Sequence, residues 1–139
     1  MRLLGLGLNH KTAPVELRER FALSKEKVRR GLQHLGEYDP LHEAVVVSTC
    51  NRSEIYAMAA EEASGMEAIR RFWADMTGHR ENIDAYLYTF MDEDCARHLF
   101  RVASSLDSLV IGEGQILSQV KDAYTLAHTA GATSTVLNT

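Results

Sequence analysis

The run Ala44-Val45-Val46-Val47 constrains the fold of this chain more than any other feature. It is continuous and mostly β-branched, the pattern of a strand covered on both faces. A second strand-like stretch, Ile55 to Ala59, follows after a connection no longer than Thr49 to Glu54. The two predict a hairpin, with Cys50 and Arg52 at or near its bend.

The rest of the chain has a regular rhythm around that hairpin. Leu3 to Asn9 is short and apolar, and Asn9-His10-Lys11-Thr12-Ala13-Pro14 bounds it, so it reads as a buried strand and a turn. Pro14 suits the first turn of a short helix through Phe21. Ser24 caps a second helix in which Val28, Leu32 and Leu35 recur at helical spacing, and Gly36 suits its end. Ser64-Gly65-Met66-Glu67 has the form of a capping box. The helix after it buries Met66, Ile69, Phe72, Trp73 and Met76 and stops at Gly78. Tyr86 to Phe90 reads as a fourth strand. The order strand, helix, strand, strand, helix, strand predicts an α+β fold. Its form is a ferredoxin-like split βαβ sandwich, with helices on one face of an antiparallel sheet. Extra C-terminal helices follow. Asp92 caps one running to about Ala103, and Gly112 or Glu113 starts another that buries Ile116, Leu117, Val120, Tyr124 and Ala127 and reaches Gly131. Ala132 to Thr139 has no closing structure and reads as the place where a longer protein was cut.

A chain of 139 residues fits one domain, and 45% hydrophobic with 24% charged residues is ordinary globular composition. A net charge of −4 argues against a protein held to nucleic acid mainly by charge. Lys25, Lys27, Arg29 and Arg30 form either a small basic patch or a solvated helix face. Two cysteines without close spacing do not suit a disulfide-stapled secreted domain. The apolar start is too short for a signal peptide, and no stretch has the length of a membrane span. The expectation is a soluble, cytoplasmic protein. His10, His34, His42, His79, His98 and His128 show no paired ligand spacing, so no metal site is expected. Gly5-Leu6-Gly7 lacks the third glycine of a dinucleotide loop, because position 10 is His10.

Cys50 has two readings. Most lone cysteines are small buried hydrophobes. A hairpin bend exposes the sulfur, however, Arg52 favours a thiolate, and Thr49 and Asn51 add hydrogen-bonding groups that a core would not leave unpaired. The residues alone leave nucleophile and structural cysteine both open. Placing Leu99 at the centre of the apolar arc of its helix puts Cys95 and Val102 beside it and His98 at the edge. An edge histidine is either half-exposed and bonded locally or a general base reaching a cleft. Cys95 reads as core. Gln115 and Gln119 share one helix face, which is either solvated or part of a polar ligand site at a helix N-terminus.

Three blocks now stand together in order. They are Gly7 to Pro14, Val47-Ser48-Thr49-Cys50-Asn51-Arg52-Ser53-Glu54-Ile55-Tyr56, and Ser105 to Leu117 with Ser108-Leu109-Val110-Ile111-Gly112-Glu113-Gly114-Gln115. They closely resemble glutamyl-tRNA reductase, over essentially the whole chain, and only that family's N-terminal catalytic domain. The resemblance implies that residues 1–139 are this domain, without the family's NADPH-binding and dimerisation domains. It implies that a cysteine attacks the ester of glutamyl-tRNA to form a thioester. Hydride from NADPH then releases glutamate-1-semialdehyde, on the way to 5-aminolevulinate and tetrapyrroles. It implies Cys50 as nucleophile, His98 as the histidine needed for activity, and Thr49, Asn51, Arg52, Ser108, Glu113, Gly114, Gln115 and Gln119 as substrate contacts. Arg52 suits the substrate's side-chain carboxylate, which a planar guanidinium holds with two hydrogen bonds. Many members carry proline or another residue where Gly114 stands. For the whole enzyme the resemblance implies a homodimer, no metal, no membrane, and glutamate-1-semialdehyde aminotransferase as a partner. The competing reading is a non-catalytic ferredoxin-like module that binds an acidic metabolite or a partner protein.

Overall fold

The computed structural model describes residues 1–103. The order is β1 (Arg2–Asn9), α1 (Val15–Arg20), α2 (Lys25–Gln33), β2 (Leu41–Ser48), β3 (Arg52–Ala59), α3 (Glu62–Thr77), β4 (Tyr88–Met91) and α4 (Asp92–Ala103). The strands form one sheet in the order β2-β3-β1-β4, and every neighbouring pair is antiparallel. The predicted hairpin is β2–β3, with Ser48 opposite Ser53 and only Thr49, Cys50 and Asn51 outside the strands. The fold is therefore α+β around a four-stranded antiparallel sheet.

Alternation along the strands divides two sets of side chains. Leu4, Leu6, Leu8, Val46, Ile55 and Ala57 join Val28 and Leu32 of α2 and Ile69, Phe72 and Trp73 of α3 in the main core. Trp73 closes that layer by donating its indole N–H to the Phe21 carbonyl at 3.1 Å. The other face is covered too. There Val47, Tyr56 and Cys95 form a second cluster with Leu3, Phe90 and Leu99 packed against it. The crossover helices α2 and α3 share one face of the sheet; the extra C-terminal helix α4, whose face the sequence left open, packs on the other against Leu3, Val47, Tyr56 and Phe90.

Several local expectations shift. The Ser64 capping box is not used, since α3 begins at Glu62 with Glu61 as its N-cap and no side-chain cap bond. Glu62 and Ala63 favour a helix as soon as β3 ends, and an acidic first turn suits the helix dipole. Gly78 does end α3, in the left-handed region at φ 78°. Ser24 does cap α2, accepting from the Lys27 N–H, but the helix stops at Gln33 and Gly36 lies in a following 3-10 turn. Tyr86 also belongs to a 3-10 turn, so β4 starts at Tyr88. Asp92 opens α4 with φ 51°, and its carboxylate accepts from the Leu3 N–H at 3.2 Å and the Arg2 Nε at 2.8 Å. It ties the start of α4 to β1, where a helix cap was expected. The predicted helix from Gly112 or Glu113 lies outside the described residues.

Candidate functional site

The hairpin bend is built by its own side chains. Thr49 Oγ1 accepts from the Asn51 N–H at 3.1 Å and the Arg52 N–H at 3.2 Å, and Thr49 N–H donates to the Arg52 carbonyl at 2.7 Å. A threonine hydroxyl closing on its own backbone makes a tight turn. Cys50 sits at its tip, exposed to solvent. The bend is also braced from outside. Asn9 Oδ1 accepts from the Lys11 N–H at 2.9 Å and shapes the turn after β1, whose His10 N–H donates to the Asn51 carbonyl at 2.9 Å. On the helix side, Ser48 Oγ accepts from the Leu23 N–H at 2.9 Å and meets Ser53 Oγ at 3.1 Å.

From Arg52 the strand alternates, so Arg52, Glu54 and Tyr56 project onto the α4 face. Arg52 and Glu54 are each only 1% exposed. Glu54 is the centre of a polar cluster. Its Oε2 accepts from Arg52 Nη1 at 3.2 Å, from His98 Nε2 at 2.7 Å and from the Tyr88 hydroxyl, and its Oε1 accepts from the Tyr56 hydroxyl at 2.6 Å. Burial by itself would push the Glu54 carboxyl up. The His98 hydrogen bond, the Arg52 charge and the Tyr56 hydroxyl outweigh it and hold the group below the usual glutamate range. The carboxylate faces Gly7, whose hydrogen leaves the room it needs: a Cβ there would lie 2.7 Å from Glu54 Cγ. Gly5 does the same for Cys95 Sγ, at 2.9 Å from such a Cβ.

His98 corrects its expected place. It is not at the edge of the helix arc but 3% exposed, and its Nε2 meets a carboxylate oxygen of Glu54, 44 residues away. Cys95, His98 and Val102 are buried and Leu99 only partly so. The facing sheet decides this, because Glu54 offers an acceptor that draws the imidazole inward. The ring is held on its faces as well, stacked on Phe90 at a centroid distance of 4.1 Å and 15° and meeting Tyr88 edge-on at 5.5 Å. Cys95 is core, as its helix face predicts, with 0% exposure and a thiol that burial pushes up to about 12.

The structure thus brings Arg52 and His98 onto one carboxylate, with Thr49, Cys50 and Asn51 in the bend leading directly into Arg52. Ser108, Glu113, Gly114, Gln115 and Gln119 lie outside the described residues. Glu54, Tyr56, Tyr88 and Phe90 were not singled out from the sequence. The usable signal was Glu54 itself, a carboxylate read as the end of the connection, directly before an apolar strand and at the i+2 position from Arg52. Among the described residues no group of three or more His, Cys, Asp or Glu is placed to hold a metal, and no helix is long and apolar enough to cross a membrane.

Residues 6–139 match the family model described as glutamyl-tRNA(Glu) reductase, N-terminal domain. This chain belongs to the glutamyl-tRNA reductase family. Among curated relatives, a glutamyl-tRNA reductase of Pelobacter propionicus is 50% identical over 99% of this chain and 32% of its own length. One of Xanthomonas campestris pv. campestris is 48% identical over 95% of this chain and 29% of its own length. A solved glutamyl-tRNA reductase from Methanopyrus kandleri superposes with a TM-score of 0.74 at 34% identity, over 98% of this chain and 30% of that one. The chain thus spans about a third of the length of these glutamyl-tRNA reductases.

Proposed function

We propose that this chain, residues 1–139, is the domain of glutamyl-tRNA reductase that binds the substrate and takes its acyl group, with Cys50 as the nucleophile. The observation that carries the reading is an exposed thiol on a tightly closed bend, two residues before a buried cation–carboxylate–imidazole cluster. The Cys50 sulfur attacks the ester carbonyl of glutamyl-tRNA. An S–C bond forms, the ester C–O bond breaks, and the thiol proton ends on the ribose hydroxyl released with the tRNA. His98 carries that proton. Arg52 pairs with the substrate's side-chain carboxylate, and Thr49 and Asn51 hold the bend. By motif position Ser108, Glu113, Gly114, Gln115 and Gln119 complete the substrate contacts. The thioester is a better hydride acceptor than a free carboxylate, and the covalent intermediate divides one difficult step into two.

Gly5-Leu6-Gly7 does not fit NADPH. Gly5 and Gly7 lie inside β1, and the space beside them is taken by Cys95, Tyr56 and Glu54, so they offer no phosphate cradle. The reduction to glutamate-1-semialdehyde is therefore assigned, from the family resemblance, to an NADPH-binding domain of the whole enzyme. Homodimerisation and delivery of product to glutamate-1-semialdehyde aminotransferase belong there too. Action on charged tRNA puts the protein in the cytoplasm. The strand order β2-β3-β1-β4, with α2 and α3 in the two crossovers, supports the finer ferredoxin-like split βαβ description.

Intact-mass spectrometry after mixing the chain with glutamyl-tRNA tests the reading. A glutamyl adduct that is lost slowly to water is expected on wild type and not on Cys50→Ser. An equal adduct on both, or none on wild type, overturns it and favours a binding module.

A further inference from the structure

The basic run of α2 takes no part in the acyl-transfer chemistry, yet its charge is not scattered. Residues 10–34 hold seven Lys and Arg against three Glu, a local net charge of +4 in a chain whose net charge is −4. The topology decides where that charge lies. β1 ends at Asn9, β2 ends at Ser48 and β3 starts at Arg52, so the Cys50 bend stands at one end of the sheet. α2 leads the chain from that end back toward Leu41, where β2 starts. Its beginning is tied to the bend: the Leu23 N–H donates to Ser48 Oγ at 2.9 Å, and Lys25 and Lys27 follow within four residues. Lys11 arrives from another side. Its neighbour His10 donates a backbone N–H to the Asn51 carbonyl at 2.9 Å.

The opposite end of the sheet is acidic. Glu61 and Glu62 follow β3, and Asp92, Glu93 and Asp94 open α4. Arg2, paired in register with Ala59, marks that end, and its guanidinium meets Asp92 at 2.7 Å and Glu62 at 3.9 Å. The eight residues of β1 hold the two ends about 25 Å apart. A chain that is acidic as a whole is therefore basic where the thiol stands. Such a field draws a polyanion to the Cys50 end and repels it from the other.

Pairing distinguishes the basic residues. Arg29 and Arg30 share the Glu26 carboxylate, Arg30 at 3.7 Å. Lys11, Lys25 and Lys27 are exposed, and among the described residues none of them pairs with a carboxylate. A face that served solubility alone would intersperse both signs. Here the unpaired cations belong to the two segments that brace the bend.

We propose that the phosphate backbone of the tRNA's 3′ end leaves Cys50 over the β1–α1 turn and the first turn of α2, held there by Lys11, Lys25 and Lys27. The inference rests on the acyl-transfer reading, which puts the ester at Cys50. Arg52, the partner of the substrate's side-chain carboxylate in that reading, projects onto the α4 face. The nucleotide end then runs toward the other layer, where α2 begins. The lysines touch no reacting atom. They hold phosphates and so carry affinity without reading base sequence.

Lys25→Ala/Lys27→Ala is the informative variant. Both side chains are exposed, alanine suits a helix, and Ser24 caps α2 through the Lys27 backbone N–H, which alanine retains. Arg70→Ala/Arg97→Ala is the control. It lowers the net charge equally, at arginines paired with Asp84 at 3.1 Å and with Glu93 at 2.9 Å. Fluorescence anisotropy of the full chain with uncharged tRNA, repeated over a range of salt, reads both affinity and the number of phosphates neutralised. The lysine variant is expected to bind on the order of tenfold more weakly near 0.1 M salt. Its plot of log affinity against log salt should be shallower by about 1.4–1.8, and adding Lys11→Ala should lower the slope again by about 0.7–0.9. Lys25→Arg/Lys27→Arg keeps both charges and is expected to bind as wild type does, and the control to stay within about twofold of it. Wild-type affinity and slope in the alanine variant overturn the proposal. So do an equal loss in the control, an arginine variant as weak as the alanine one, and a wild-type chain that binds no tRNA. Lysine-dependent tRNA binding without any adduct from glutamyl-tRNA is the separate failure of the acyl-transfer reading.

Discussion

Replacing Gly7 by alanine should damage this protein far more than a single methyl group suggests. The added Cβ would lie 2.7 Å from Glu54 Cγ, 3.0 Å from the Ser53 carbonyl oxygen and 3.1 Å from the Tyr88 hydroxyl. Glu54 cannot step back, because Arg52, Tyr56, Tyr88 and His98 hold its carboxylate. Overpacking of a close-fitted interior costs about 1–3 kcal/mol. Loosening one hydrogen bond to the buried charge adds about 1.5–3 kcal/mol. A total of about 4 kcal/mol lowers the melting temperature of a domain this size by roughly 12 °C or more. Two other glycines supply the comparison. A Cβ at Gly31 would meet Met76 Sδ at 2.5 Å, a closer clash on paper. The same Cβ would lie 2.6 Å from Met76 Cγ and 3.2 Å from the buried Phe72 ring, but Met76 is an unbranched, partly buried side chain that can move aside, and alanine recovers about 1 kcal/mol of helix propensity inside α2, so the net loss is smaller than at Gly7. At Gly36 nothing lies within 4 Å and φ is not positive, so alanine should stabilise by about 0.4–1 kcal/mol. Thermal and urea unfolding of the three variants, followed by circular dichroism, checks the order. If Gly7→Ala melts within a few degrees of Gly31→Ala, the claim that the Glu54 cluster is rigid is wrong.

Further outcomes follow from the same geometry. Alkylation of the folded chain at mildly alkaline pH should modify exposed Cys50 and spare Cys95, whose buried thiol is pushed up to about 12; peptide mapping that finds both labelled at similar rates would contradict this. Glu54 titrates lower in the folded chain than its ordinary value of 4.5, so its contribution is fully present above that pH and is lost as pH falls through the lower folded value. The stability gap between wild type and Glu54→Gln, measured by urea unfolding, should therefore be constant near neutrality and shrink on acidification below 4.5. A gap that widens in acid reverses the sign of the argument. Arg52→Lys keeps the charge but not the planar fork, and should cost both stability and thioester formation, read by unfolding and adduct yield; near-wild-type adduct formation would remove Arg52 from the site.

Much of this architecture was legible because its signals are local. A valine run, a polar gap too short for anything but a bend, and a glycine at the end of an amphipathic helix each act over a few residues. The β2–β3 hairpin with Cys50 at its bend, the Gly78 stop and the buried Cys95 followed from them. Errors arose where two local signals competed. Ser64 has the chemistry of a cap, but Glu62 and Ala63 already favour the helix, and the chain takes the earlier start.

The sequence by itself determined the strand and helix order, the bend that carries Cys50, and, through three motif blocks in order, the family. The tertiary structure alone decided what surrounds the thiol. Helical periodicity weighs His98 only against its own helix and so leaves it at an edge. What buries it is Glu54 on a strand 44 residues earlier, with Tyr88 and Phe90 of a third element around the ring. Gly5 and Gly7 likewise resemble part of a phosphate loop in one dimension and are clearance for Cys95 and Glu54 in three. A hydrogen bond between distant residues depends on which strands become neighbours, and that is set by packing the whole sheet. No window of the sequence contains it.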